Sequence, residues 1–496
     1  MHKTANRPRT SALPPAVNTR LAHGVAAASG TRGGDESGFH LMHDGLSAFV
    51  ARAVLVEEAE VSLDLQYYIY SDDICGRLLT AKLLQAADRG VRVRLLVDDL
   101  GTRLVNPWVS ALANHPNMQI RVFNPVEGRS GLRRSLEQAL DFGRINHRMH
   151  NKLLVADGLV MITGGRNIAD GYFSNAEVEF LDVDTMAIGG VLADAAACFD
   201  DYWNHAVSVP VTELLLADDE DYSLEKLRGH LQAHLAAEAR SEFHRALEGA
   251  DLAQELAEAQ VHFDWGAAQL LADPPQKATD PQSLAAEDFP AHQLKKALEQ
   301  CRERVQIANA YLIPRQRGVA LFEGLRRRAV QVQILTNGLG TTDEAVVHGA
   351  YARYRKPLLR SGVQLWELRP IADQRRRLHW FKGESRASLH AKIMVLDRDW
   401  AFIGSLNLDS RSVLRNTEIG LLMHCPAINR QLHDLFDEWT APDCAWQLQL
   451  NAERKLRWHG RGEQGESVTV HRDPDSTLWQ RLLCRVLGRL PVESQI

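Results

Sequence analysis

No stretch of this 496-residue chain approaches the ~18–20 uncharged apolar residues that a membrane-spanning helix needs. Behind Lys3, Arg7, Arg9 and Arg20 there is also no apolar core of the roughly 7–15 residues found in a secretory signal. The six cysteines (Cys75, Cys198, Cys301, Cys425, Cys444 and Cys484) form no CxxC and no metal-ligand spacing. That excludes a disulfide framework and points to reduced thiols in a cytosolic protein. Basic excess is missing as well. The 57 Lys and Arg face 63 Asp and Glu, for a formal net charge of −6 and a pI near 6.4, so no global cationic field draws nucleic acid. What is present is an ordinary globular composition, 45% hydrophobic and 24% charged, over a length that suggests about two or three domains.

One stretch occurs twice. The first copy runs from His150 through Lys152 to Asp157, with Gly164-Gly165-Arg166-Asn167 behind it. The second runs from His390 through Lys392 to Asp397, with Gly404-Ser405-Leu406-Asn407 behind it. Each copy reads HxKxxxxD, then a small-residue pair, then Asn, and all four positions repeat at an offset of 240 residues. A lone HxKxxxxD recurs by accident; two copies with the same trailing Asn do not.

The surroundings repeat too. VSLDLQYYIY (61–70) reads as a strand, Asp72-Asp73 start a helix, and VRVRLLV (91–97) is a second strand before Asp98-Asp99-Leu100-Gly101. A short helix near 107–114 and a strand at 119–126 continue the α/β pattern. In the second half VQIANAYLIP (305–314) matches 61–70, with Tyr311 opposite Tyr67, and VQVQILTNGLG (330–340) matches 91–101. A helix at 344–360 and a strand at 362–368 follow. The expected fold is therefore a pair of duplicated α/β domains, each a central mixed sheet flanked by helices, related by a pseudo-two-fold axis and sharing one site. The expected division is a disordered tail (1–35), a first domain (36–208), a helical connection (209–260), and a second domain (261–496) ending in an amphipathic helix.

Residue types suggest the chemistry. On a strand, His150 and Lys152 face one way, as do His390 and Lys392. Two His, two Lys and two Asn in one pocket make a phosphate site: one imidazole attacks phosphorus, the other protonates the leaving alcohol, and Lys and Asn stabilise the equatorial oxygens. No metal or other cofactor is called for. Each imidazole needs an acid on its other nitrogen. Glu418 is the candidate for His390; Asp182, with Glu179 as its rival, is the candidate for His150. Asp157 and Asp397 lie on turns and read as structural.

These motifs resemble the phospholipase D superfamily and, within it, the bacterial cardiolipin synthases, closest to the C type. Supporting stretches include RMHNK (148–152), GGRNIADGYF (164–173) and LNLDSRSVLRNTEIG (406–420), and the likeness covers about residues 40–496. The resemblance implies ping-pong phosphatidyl transfer through a phosphohistidine, with phosphatidylglycerol as acceptor and His150 as nucleophile. It also implies phospholipid substrates, phosphatidylethanolamine among the possible donors, and a cytoplasmic protein peripheral on the inner membrane surface. A protein partner at the membrane stays open. Water as acceptor would make a phospholipase D or phosphodiesterase, a nuclease included; loss of chemistry would leave a lipid-binding protein. Two arginine-rich inserts (127–149 and 375–389, the latter with Trp380-Phe381) suit anionic head groups or solvent. Trp479, Leu482, Leu483, Val486, Leu487 and Leu490 form one helical face beside Arg481, Arg485 and Arg489; such a helix packs on its own domain or lies on a membrane.

Overall fold

One α/β unit, built twice, governs the architecture. The structure, a computed structural model, describes residues 7–102, 107–126, 146–173, 178–214, 223–238, 261–370, 386–462 and 464–488. The first half holds strands β1 (Ser37–Met42), β2 (Ser62–Tyr67), β3 (Arg92–Asp98), β4 (Met118–Phe123), β5 (Leu153–Ala156), β6 (Val160–Gly164), β7 (Val178–Leu181), β8 (Asp184–Gly189) and β9 (Ser208–Pro210). Its helices are α1 (Arg20–Ser29), α2 (Gly45–Glu58), α3 (Ile74–Asp88), α4 (Pro107–Ala113) and α5 (Val191–Trp203), followed by α6 (Leu224–Glu238) in the connection. The second half holds β10 (Asp264–Ala272), β11 (Arg304–Asn309), β12 (Gln331–Asn337), β13 (Gln364–Leu368), β14 (Arg386–Leu389), β15 (Lys392–Leu396), β16 (Trp400–Gly404), β17 (Ile419–His424), β18 (Ala445–Leu450), β19 (Leu456–Arg461) and β20 (Ser467–Val470). Its helices are α7 (Pro290–Gln300), α8 (Arg315–Arg327), α9 (Ala345–Tyr351), α10 (Arg355–Arg360), α11 (Ser410–Leu414), α12 (Pro426–Trp439) and α13 (Leu478–Leu487).

The near-continuous apolar runs make central strands. β2, β3 and β4 pair in parallel, as do β11, β12 and β13. Asp73 stops the loop and starts α3 by accepting the N–H of Gly76 at 3.0 Å. Across the first sheet the order is β9-β4-β3-β2-β5-β6-β8-β1; across the second, β18-β13-β12-β11-β15-β16-β17-β10. The two orders are the same, strand for strand. The edges β1 and β10 then pair antiparallel, Ser37 opposite Gly266, so the sheets run together. One buried apolar cluster contains residues of both halves, among them Met149, Leu153, Leu181, Leu389, Ile393 and Met423. At about 1.5–3 kcal/mol for each large apolar side chain fully buried, that shared layer holds the halves as one body.

Several expectations need correction. Residues 7–35 are not a loose tail. Arg7 bonds Glu213 at 2.9 Å, Trp203 Nε1 donates to Thr10 Oγ1 at 2.8 Å, and Leu21 of α1 is buried. Arginines of β3 and β4 reach the carbonyls of this Pro-rich segment: Arg92 to Ser11, Arg94 to Thr10 and Arg121 to Pro8. The helix expected at 344–360 is two helices, because Pro357 cannot donate to the turn before it. Tyr311 corresponds to Ile69 rather than to Tyr67. Leu63 pairs with Ala156 as Val305 pairs with Leu396, which sets Tyr68 against Ala310. Of the first basic insert, Arg148 is fully buried against Asp98 at 3.3 Å and is no surface cation. Residues 127–145 of that insert, residues 371–385 of the second, and residues 489–496 lie outside the described residues.

Asp157 and Asp397 belong to this framework. Asp157 sits at φ 53° and its carboxylate accepts the N–H groups of Glu60, Val61 and Ser62 at 2.8–3.1 Å. Asp397, at φ 49°, does the same for Arg302, Glu303 and Arg304. Each ties its hairpin turn to the start of the neighbouring strand. Asp157→Ala should cost about 3 kcal/mol, since charge-assisted hydrogen bonds to buried amides are lost together. Thermal melting checks this: a clear fall in Tm is expected, with the far-ultraviolet circular dichroism of the surviving folded protein unchanged.

Candidate active site

The histidines lie on the short segments that enter β5 and β15, and backbone pairing fixes where those segments run. Each is laid against the opposite half. His150 N–H donates to the carbonyl of Thr417 at 2.9 Å, and Met149 and Thr417 form a parallel bridge. His390 N–H donates to the carbonyl of Leu181 at 2.9 Å, where β14 runs parallel to β7. The residue after Thr417 is Glu418; the residue after Leu181 is Asp182. The acids are therefore exchanged between the halves. His150 Nδ1 lies 2.8 Å from Glu418 Oε2, and His390 Nδ1 lies 2.7 Å from Asp182 Oδ2.

This reverses the pairing expected from sequence, which gave Glu418 to His390 and Asp182 or Glu179 to His150. Equivalence was read correctly: Gly164 pairs with Asp184 and Gly404 with Gly420, so Asp182 and Glu418 each stand two residues before the paired position. Equivalence within a repeat does not reveal which half a residue faces. Glu179 lies on β7, opposite Ala387 of β14, and is not the acid on either ring.

In both rings Nδ1 faces the carboxylate, which leaves Nε2 of each for chemistry. Behind Met149 and Leu389 the backbone is locked by equivalent residues: Asp98 accepts the N–H of Met149 at 3.0 Å, and Asn337 accepts that of Leu389 at 2.8 Å. Lys152 Nζ donates to the carbonyl of His150 at 2.6 Å, and Lys392 Nζ donates to that of His390. Asn167 is partly engaged: its Oδ1 accepts from Ile69 N–H at 3.1 Å, and its Nδ2 donates to Tyr172 Oη at 2.8 Å. Asn407 is buried, and its Oδ1 meets no partner among the described residues.

The small-residue pair differs between copies for a reason. A Cβ at Gly165 would fall 2.1 Å from Asp182 Oδ1, so glycine makes room for that carboxylate. The equivalent Ser405 instead donates its hydroxyl to Glu418 Oε2 at 2.5 Å. Sequence reasoning also missed the rings. Tyr68 meets His150 edge-on at 5.1 Å; Ala310 stands in its place in the second half, where Tyr172 and Phe180 pack on His390 at 5.0 and 5.3 Å. The signals available were LDLQYYIY for Tyr68, DGYF for Tyr172 and VEFL for Phe180, stretches that read equally well as core.

Burial dominates the electrostatics. It pushes both imidazoles below their ordinary value. His150 goes well below, with Lys152 and Lys392 adding to the effect; His390 goes less far, because Asp182 favours its protonated form. Burial lowers Lys152 to about 7, and it lowers Lys392 too. Burial raises Glu418 to about 7, against the pull of Lys152. Burial would raise Asp182 as well, but His390, Lys392 and Arg166 outweigh it and hold that carboxyl at about 2. The lysine of each half acts on the histidine of the other, as expected of one shared pocket. Two imidazoles brought together with two buried lysines suit a phosphodiester. Among the described residues, no cluster of His, Cys, Asp and Glu is arranged to hold a metal ion.

A duplicated α/β fold with one HxKxxxxD histidine from each half is that of a phospholipase D-like enzyme. A family described as "Cardiolipin synthase, PLD-like domain" matches residues 54–203 and 294–440, and the chain belongs to it. The chain is 38% identical to cardiolipin synthase C of Escherichia coli (strain K12), over 92% of this chain and 96% of that one. It is 32% identical to an uncharacterized protein of Helicobacter pylori (strain J99), over 89% and 86%. It is 27% identical to cardiolipin synthase B of Escherichia coli (strain K12), over 84% of each. A solved phosphatidylserine synthase of Haemophilus influenzae shares the fold, with TM-score 0.58 and 12% identity, covering 92% of this chain and 95% of that one.

The exchanged pairing has a direct spectroscopic test. In histidine-labelled protein, Glu418→Gln should move the Hδ1 resonance of His150 and leave that of His390 in place, while Asp182→Asn should do the converse. Exchanged responses would contradict the geometry.

Proposed function

We propose that this enzyme makes cardiolipin by transferring a phosphatidyl group to phosphatidylglycerol through a phosphohistidine. The reading rests on one observation above all: two imidazoles, each anchored by a carboxylate of the opposite half, share a pocket with two buried lysines.

His150 is the nucleophile. It is the more strongly depressed of the two rings, hence neutral with Nε2 free, while ionised Asp182 helps His390 keep a proton. Nε2 of His150 attacks phosphorus of the donor lipid. The P–N bond forms, the bond to the head-group oxygen breaks, and His390 Nε2–H protonates that oxygen. Glycerol leaves if the donor is phosphatidylglycerol, ethanolamine if it is phosphatidylethanolamine. His390, now neutral, takes the proton of the head-group hydroxyl of an incoming phosphatidylglycerol. That oxygen attacks phosphorus, the P–N bond breaks, and cardiolipin departs. Lys152, Lys392 and Asn407 hold the equatorial oxygens, with the second Nδ2 hydrogen of Asn167. Lipid substrates place the enzyme at a bilayer. We read it as peripheral on the cytoplasmic surface of the inner membrane, in keeping with six free cysteines.

Incubating the pure enzyme with phosphatidylglycerol, with and without phosphatidylethanolamine, and weighing the lipids by mass spectrometry tests the reaction. A four-chain product is expected, reduced roughly 10³-fold or more in His150→Ala. Phosphatidic acid without cardiolipin would instead make water the acceptor. The rate should rise with pH as His150 loses its proton and fall as His390 loses its own. Asp182→Asn removes the charge that helps His390 stay protonated, so the alkaline limb of kcat/KM should move to lower pH. No movement of that limb would remove His390 as the acid.

A further inference from the structure

Helix α13 turns its apolar side outward. Leu478, Trp479, Leu482, Leu483 and Val486 are 71%, 79%, 50%, 51% and 52% exposed, and at helical spacing they form one continuous ridge. Cys484 and Gly488, on the opposite side, are buried against α9. Cys484 Sγ donates to the carbonyl of Ala345 at 3.4 Å, and a Cβ at Gly349 would meet the carbonyl oxygen of Cys484 at 2.8 Å. The helix thus sits on its narrow small-residue face, and the apolar stripe, read as packing on its own domain or lying on a membrane, is left in solvent from Leu478 to Val486.

The mount is rigid. Thr477 Oγ1 accepts the N–H of Gln480, and Gln480 Oε1 accepts that of Thr477. Just before the helix, Asp473 pairs with buried Arg355 at 2.6 Å, and Asp475 accepts from Trp446 Nε1 at 2.8 Å. α9, beneath, begins two residues after Asp343, which accepts the Tyr311 hydroxyl at 2.8 Å and whose charge acts on Lys392. The ridge therefore stands over the helix that follows Asp343, a residue whose charge reaches the site. Arg481 and exposed Arg485, one turn apart, border it.

We propose that this face of α13 seats the enzyme on an anionic phospholipid bilayer, with the mouth of the site turned to its lipid. The cations on the border of the ridge match phosphate head groups, whereas a second copy would set arginine against arginine. That the bilayer also carries the substrate rests on the phosphatidyl-transfer reading; the docking itself does not.

Sedimentation of the full chain with vesicles tests it, using phosphatidylcholine with and without an equal share of phosphatidylglycerol. The wild type should bind the anionic vesicles. The double variant Trp479→Ser, Leu483→Ser, which changes only exposed side chains, should bind about tenfold or more weakly, with circular dichroism and melting unchanged. Arg485→Glu should bind about fivefold more weakly to anionic vesicles and equally to neutral ones. On short-chain phosphatidylglycerol below its micelle-forming concentration, the double variant should match the wild type, falling behind only on vesicles. Vesicle binding equal to the wild type would overturn the proposal. So would a wild-type dimer, seen by sedimentation velocity without lipid, that the double variant dissolves. A wild type that binds vesicles but makes no cardiolipin from either form would sink the transfer reading and leave the docking intact.

Discussion

The exchange of carboxylates between the halves is the constraint on which the rest depends. Neither half holds a histidine together with its acid: His150 has its acid just before the strand that closes the second half's motif, β17, and His390 has its acid just before the equivalent strand of the first half, β8. Both hydrogen bonds follow from backbone pairing, His150 against Thr417 and His390 against Leu181. The shared apolar layer and the β1–β10 edge therefore serve chemistry as well as stability. A small shift between the halves would misalign both imidazoles at once, which explains why the halves are welded rather than hinged.

The site is costly by itself. Two lysines and two acids are buried together, and burial drives Lys152 down to about 7 and Glu418 up to about 7. An anionic phosphodiester brought into this pocket would add negative charge beside the lysines and favour their protonated forms. Glu418 is raised while Asp182 stays ionised, so the two equivalent histidines sit beside differently charged acids. Arg166, whose place in the second copy is taken by Leu406, is among the cations that hold Asp182 down, whereas at Glu418 burial outweighs the hydrogen bond from Ser405.

Much of this was legible in the sequence, because a duplication writes itself in spacing. The offset of 240 residues identified both motifs, both lysines and the fold class, and Asp182 and Glu418 were aligned through the following strands despite a four-residue slip. What stayed hidden was non-local. Which acid meets which ring depends on strands crossing between halves, and no local pattern encodes that. The N-terminal segment read as disordered in part because several of its anchors are backbone carbonyls, which carry no sequence signature. The strands β1 and β10 went unread for want of clear alternation, and the amphipathic pattern of α13 gave its stripe but not the direction in which it points.

The most direct measurement is a crystal structure with vanadate, which mimics the pentacoordinate phosphorus. One vanadium is expected in the shared pocket, bonded to Nε2 of His150, with Nε2 of His390 on the opposite side and Lys152 and Lys392 on its equatorial oxygens. Vanadate held by one half alone, or ring nitrogens too far apart to flank a single vanadium, would contradict a site built jointly by the two halves.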